Sequence, residues 1–161
     1  MNKIAATLGL ATTLAVPALA LAPKAEARTV TLTTQLRPYD GDGAYLAIYL
    51  TDARGKFHST LRVAGSKAKY YKHLRDWARG RTAEAGRIDG ITGASVGSGQ
   101  SLRASVEIAD ALIDAGYQIR IDTAVEDGRD NPSEVVVPLT AAASGKPVAG
   151  RGYVAAFRFD M

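Results

Sequence analysis

The chain has 161 residues, 47% of them apolar and 22% charged, with a formal net charge of +4. That is the size and balance of one globular domain with room for a short export segment, and it excludes collagen, coiled-coil and disordered classes. Cysteine is absent and histidine occurs twice, at His58 and His73; disulfides, thiolate metal centres, a cysteine nucleophile and a lipoprotein anchor are therefore excluded, and no histidine-rich metal site is expected.

The chain starts with a positive charge at Lys3, followed by an uncharged, mostly apolar run over residues 4–16. Pro17 interrupts it, and small-residue pairs follow at Ala18 and Ala20, Ala20 and Ala22, and Ala25 and Ala27. This is the grammar of a secretory signal peptide, with a membrane anchor as the alternative. The expected organisation is a signal peptide over 1–27, cut after Ala27, and a single exported periplasmic domain over 28–161. No other apolar run could span a bilayer, and an exported chain of modest charge is not expected to meet nucleic acid.

Residues 29–36 alternate, with Val30, Leu32 and Leu36 on one face, which predicts a strand. Asp40-Gly41-Asp42-Gly43 predicts a turn. Residues 44–51 are apolar on both faces and predict a strand covered on both sides. A turn at 52–55 leads into a further alternating strand over 57–63. The pattern then changes: Tyr70, Leu74 and Trp77 fall at helical spacing, predicting one helix over 67–79 with Ser66 as N-cap and Gly80 as stop. Residues 80–101 read as a long loop rich in glycine, serine and threonine, a length that points to function. Strands are predicted at 102–108, 117–125, 135–139 and 154–159, with a short turn at 110–116 and an acidic, polar loop over 126–133.

Seven strands and one inserted helix predict an all-β fold: an immunoglobulin- or fibronectin-like antiparallel β-sandwich with a long Gly-rich loop. Asp114-Ala115-Gly116-Tyr117 resembles the tyrosine corner of such sandwiches, where the hydroxyl bonds back to upstream backbone. Glu126, Asp127, Asp130 and Glu134 lack any specific calcium pattern and read as a plain polar loop, so no metal site is expected. His58 and His73 read as surface residues.

The long loop holds Asp89-Gly90-Ile91-Thr92-Gly93-Ala94-Ser95. Gly93-Ala94-Ser95-Val96-Gly97 matches the nucleophile elbow of serine hydrolases, but that motif needs a histidine later in the chain, and both histidines precede Ser95. A serine without a base is a poor nucleophile, so no catalytic residue is assigned. The longer string Asp-Gly-x-Thr-Gly-Ala-Ser resembles the acceptor signature of the periplasmic flavin transferase. In that system FMN is taken from FAD with magnesium and joined through its phosphate to an acceptor hydroxyl. The resemblance implies covalent FMN on Ser95, with Asp89, Gly90, Thr92, Gly93 and Ala94 as the recognition frame. The usual acceptor is threonine; serine keeps the hydroxyl. Small residues also let a loop enter another enzyme's cleft, and exposed backbone amides can hold phosphate oxygens.

The order of segments around the motif carries a second resemblance. Residues 44–52, Gly55-Lys56, residues 69–77 and the motif itself are similar to the predicted periplasmic proteins grouped as domain of unknown function 2271. That likeness covers the mature chain and implies a sandwich fold, export, and association with flavin transfer and iron assimilation beside PepSY-type transmembrane reductases. No defined enzymatic activity is implied.

The segment before the motif is basic: Arg62, Lys67, Lys69, Lys72, Arg75, Arg79, Arg81 and Arg87 are opposed by Asp76 and Glu84. Tyr70, Tyr71 and Trp77 lie among them. A flavin offers a phosphate and a flat ring, which such side chains suit, so Lys72, Arg75 and Tyr71 join the candidate site, while Leu74 and Trp77 are expected in the core. The expected function is a flavinylated periplasmic redox carrier working in electron transfer, with iron reduction or assimilation as the process served, rather than a self-sufficient enzyme. The alternative is a flavin-free binding or assembly module docking to a membrane reductase.

Overall fold

The computed structural model describes residues 26–81 and 91–161. Residues 1–25 of the expected signal segment and the motif residues Asp89 and Gly90 lie outside the described residues, as do Glu84 and Arg87.

Among the described residues eight strands form two sheets. One has the order β5-β1-β8, built from β1 (Ala27–Leu36), β5 (Ser101–Ala109) and β8 (Val154–Asp160). The other has the order β4-β3-β2-β6-β7, built from β2 (Tyr45–Thr51), β3 (Phe57–Ala64), β4 (Thr92–Gly93), β6 (Gln118–Ala124) and β7 (Asp130–Pro138). All pairs are antiparallel except β3 with the two-residue β4, which is parallel. The all-β sandwich expectation holds, with one strand more than the seven predicted: Thr92 and Gly93, read as loop, extend a sheet edge.

The core lies between the sheets. Val30, Leu32 and Leu36 of β1 meet Leu46, Ile48 and Leu50 of β2, Ile119 and Ile121 of β6, and Phe157 and Phe159 of β8, all at most 1% exposed. Each such side chain removed from water contributes roughly 1.5–3 kcal/mol. The other face of β2 carries Tyr45, Ala47 and Tyr49, and it is buried as well. Tyr71, Leu74 and Trp77 cover it, so the strand is apolar on both sides because both sides are covered.

That cover differs from the predicted helix. Residues Ala68–His73 form a 3-10 turn, and a separate helix α1 spans Arg75–Gly80. They are broken at Leu74, whose ψ of 74° is not helical. The reason comes from β6. Oδ2 of the fully buried Asp122 accepts the N–H groups of Asp76 (2.8 Å) and Trp77 (2.9 Å). Free N–H groups at a helix start need such acceptors, so a new helix begins there. Ser66 does not cap either segment; Lys67 precedes the 3-10 turn and makes no side-chain cap.

Two further expectations are corrected. Residues 130–134, read as loop, begin β7, and Glu134 is buried, accepting from the N–H groups of Gly152 (2.8 Å) and Val154 (2.6 Å) and from the Thr123 hydroxyl. Tyr117 is no tyrosine corner: its ring packs edge-on against His58 at 5.1 Å, and no described residue bonds its hydroxyl.

Candidate functional site

The segment after residue 90 is held from both sides. On one side Val63 N–H donates to Ile91 O (2.8 Å) and Gly65 N–H to Gly93 O (2.7 Å). On the other, Ala44 and Val96 exchange two backbone bonds of 2.7 and 2.9 Å. The Tyr39 hydroxyl donates to Val96 O (2.8 Å) and accepts from Ala44 N–H (2.8 Å). Ser98 is tied to Tyr39 twice, accepting from its N–H (2.7 Å) and donating to its carbonyl (2.6 Å). Between these anchors Ala94 and Ser95 are exposed, while Val96 is buried.

The result is a two-residue projection on a fixed base. The Ser95 hydroxyl makes no hydrogen bond with any described residue, whereas that of Ser98 is spent on backbone. Gly43 lies directly beside it: a β-carbon at Gly43 would stand 2.5 Å from Ser95 Oγ. Neither histidine serves as its base. His73 pairs with Asp130 at 3.2 Å, and His58 lies by Ser59 and Tyr117. The serine-hydrolase reading therefore finds no partner for Ser95 among the described residues.

Behind the projection stands an aromatic group. The Tyr71 hydroxyl donates to the carbonyl of Gly65 (2.8 Å), the residue whose N–H holds Gly93. The Tyr45 ring lies between Gly65 and Tyr70, 5.3 Å from the latter. The Tyr70 hydroxyl reaches Glu126, and Lys69 sits 4.7 Å above the Tyr70 ring. Tyr45, Tyr70, Val125 and Glu126 line a cavity of about 250 Å³ together with His73 and Asp130. Tyr71 itself is 5% exposed, so it supports the motif strand from inside. Burial raises its phenol above the ordinary value, and Tyr45 adds to the effect.

The basic stripe divides. Arg75 pairs with Asp130 at 2.9 Å and Arg79 with Asp76 at 3.0 Å. Arg81 stacks 4.6 Å from the Trp77 ring. Lys72 is exposed. Arg62 is the stripe member placed at the motif: its Nη2 would be 2.5 Å from a β-carbon at Gly93, and its Nε is buried without a partner among the described residues. Sequence reading placed Arg62 in the stripe and not in the site. Its signal was weak, because β3 slips its register against β2 near Arg62 and alternation fails to say which way it points. Gly43 and Gly65 were missed as well; each is a close approach that only a missing β-carbon permits. Among the described residues no acidic or histidine group gathers into a metal site.

The fold and this edge projection define a two-sheet, all-β module presenting a small-residue loop. Residues 27–156 match the family described as "Predicted periplasmic protein (DUF2271)", and the chain belongs to that family. It is a family of predicted periplasmic proteins, and the periplasm is where this chain is assigned; no helix of the described residues is long and apolar enough to cross a membrane. Neither a curated protein nor a solved structure matches the chain.

Proposed function

We propose that the chain is an acceptor for covalent FMN, attached through phosphate at Ser95, and that it serves as a periplasmic redox carrier. The observation that carries this reading is the projection of Ala94 and Ser95: an unbonded hydroxyl, flanked by small residues, on a loop fixed at both ends. A modifying enzyme needs a hydroxyl it can enclose, and small neighbours let the loop enter a cleft. Attachment would form a bond from Ser95 Oγ to the FMN phosphorus and break the diphosphate of FAD, releasing AMP and the hydroxyl proton. FMN would supply the electron chemistry.

The chain's own residues position the group. Thr92 and Gly93 fix the loop on β3, and the Arg62 guanidinium beside Gly93 offers charge for phosphate oxygens. Lys72 is an exposed cation, and Arg75, held by Asp130, contributes less charge. A PepSY-type membrane reductase is the partner class that suits such a carrier, with ferric iron as the proposed acceptor.

The test is peptide mass spectrometry after co-expression with the flavin transferase. Wild type gains one FMN mass on the peptide containing Ser95; Ser95→Ala loses it and stays folded; Ser95→Thr keeps it. No gain in wild type, or a gain that survives in Ser95→Ala, overturns the assignment. The first outcome would favour the flavin-free docking module.

A further inference from the structure

A second site lies at the other end of β2. We propose that the cleft between the β2–β3 turn and the end of α1 binds a small polyanion, a molecule carrying more than one phosphate or carboxylate group. The cleft encloses about 620 Å³. Arg54 and Lys56 line it from the turn, Arg79 from α1 and Arg120 from β6, with Asp76 the carboxylate among its lining.

Arg54, Lys56 and Arg120 have no carboxylate partner among the described residues, whereas Arg79 pairs with Asp76. Arg120 stands opposite Tyr49 in the ladder between β6 and β2. Its Nη atoms donate to neutral acceptors, Gln118 Oε1 at 2.9 Å and Ser133 Oγ at 3.3 Å, and its Nε is buried without a partner among the described residues. Arg54 and Lys56 are exposed and form no ion pair with a described residue. Neither nearby carboxylate forms an ion pair with Arg54, Lys56 or Arg120. Asp52 Oδ1 accepts the backbone N–H groups of Arg54 and Lys56, both at 2.9 Å. Asp76 accepts from Arg79 at 3.0 Å and from the Ser133 hydroxyl at 2.7 Å. Arg120 is half-buried without a counter-charge, which is costly, and an anion in the cleft would relieve it. Guanidinium forks match phosphate and carboxylate oxygens, and a concave wall concentrates the field of several cations.

The walls are preformed. Gly55, at φ +80°, brings the turn against Arg120: a β-carbon there would lie 3.2 Å from Nη2. Across the cleft, a β-carbon at Gly80 would lie 2.6 Å from Phe57 Cβ, so the helix end is packed directly on the strand. The site is separate from Ser95. The motif loop meets β2 next to Tyr45 and the cleft meets it at Tyr49 and Thr51, roughly 13–20 Å along the strand at about 3.3 Å per residue.

Calorimetric titration of the exported protein with inorganic pyrophosphate and with citrate tests this. Saturable one-to-one binding of at least one is expected, weakened by about tenfold or more in Arg120→Gln and in the double variant Arg54→Gln/Lys56→Gln. Ser95→Ala should bind as wild type does, so loss of the flavin reading leaves this one standing. Tighter pyrophosphate assigns a phosphate ligand, tighter citrate a carboxylate. The double variant changes exposed turn residues alone, so it decides the matter if Arg120→Gln does not fold. No saturable binding of either probe overturns the proposal. So does equal binding by the double variant, or equal weakening by Lys67→Gln/Lys72→Gln, which lie outside the cleft.

Discussion

The ring of Tyr45 lies where a side chain on Gly65 would stand: a β-carbon built on Gly65 overlaps the ring edge. Gly65 also has φ of +116°, a conformation in which L side chains are strained. Its N–H holds Gly93 and its carbonyl accepts from Tyr71. One glycine thus joins the aromatic group to the motif strand.

Gly65→Ala should therefore destabilise the protein by about 2 kcal/mol or more, through both backbone strain and the displaced ring. Urea unfolding measures the loss, and hydrogen exchange at Val63 and Gly65 reads the β3–β4 edge. A variant as stable as wild type, with protection unchanged at Gly65, would show that the ring does not enforce this contact.

Trp77 is fully buried, packs edge-on to Tyr71 at 5.4 Å, and donates from Nε1 to Thr60 Oγ1 at 2.9 Å. Trp77→Ala should cost about 3–5 kcal/mol. Trp77→Phe should cost less, since it keeps much of the packing and loses the hydrogen bond. Chemical denaturation followed by circular dichroism separates the two. A loss under about 1 kcal/mol for Trp77→Ala would contradict the burial.

The strands were readable where one face is buried and the other is not, as in β1, because alternation follows directly from the pleat. The break at Leu74 was not readable. Its cause, Asp122, lies 46 residues beyond the N–H of Asp76 that it accepts, and local periodicity carries no trace of a distant cap. The start of β7 was hidden for a related reason. Asp130, Asn131, Pro132 and Ser133 look like loop, yet β7 is a sheet edge, where proline is tolerated, and Ser133 N–H donates to Asp122 at 2.7 Å. In the candidate site the exposed loop was legible from its small residues, whereas its supports, Gly43 and Gly65, act through absent atoms.

Asp122 gives a pH prediction. Its oxygens accept from Tyr49 Oη and Ser133 N on one side and from Asp76 N and Trp77 N on the other. Burial raises the carboxyl above its ordinary 3.8 although those donors pull it down. The folded state then holds the proton more tightly than the unfolded state. The stability from this group is fully present below about pH 4 and is lost as pH rises through the raised folded value. Asp122→Asn does not titrate and turns an amide towards N–H donors, costing about 1–3 kcal/mol. Urea unfolding of both proteins between about pH 3.5 and 7 should show the advantage of wild type shrinking as pH rises. An advantage that grows with pH would mean that the four donors outweigh burial.

The last prediction separates presentation of the Ser95 hydroxyl from its presence. Gly43 has no positive φ, so a side chain there is not strained by the backbone. A β-carbon at Gly43 would nevertheless lie 2.5 Å from Ser95 Oγ and 3.0 Å from Ser95 Cβ. The hydroxyl can rotate away, but the Cβ contact requires the loop to shift. Gly43→Ala should therefore change stability by no more than about 1 kcal/mol, because both residues lie at the surface end of the sandwich. Gly43→Val should displace the projection further. If Ser95 is the FMN acceptor, attachment during co-expression with the transferase should fall in the order wild type, Gly43→Ala, Gly43→Val, with thermal unfolding of the alanine variant near wild type. Intact-protein mass spectrometry reads the modified fraction directly. Full modification of Gly43→Val would mean that the transferase takes the loop in a conformation other than the one Gly43 allows here. Equal loss in both variants together with unfolding would instead assign Gly43 to stability alone.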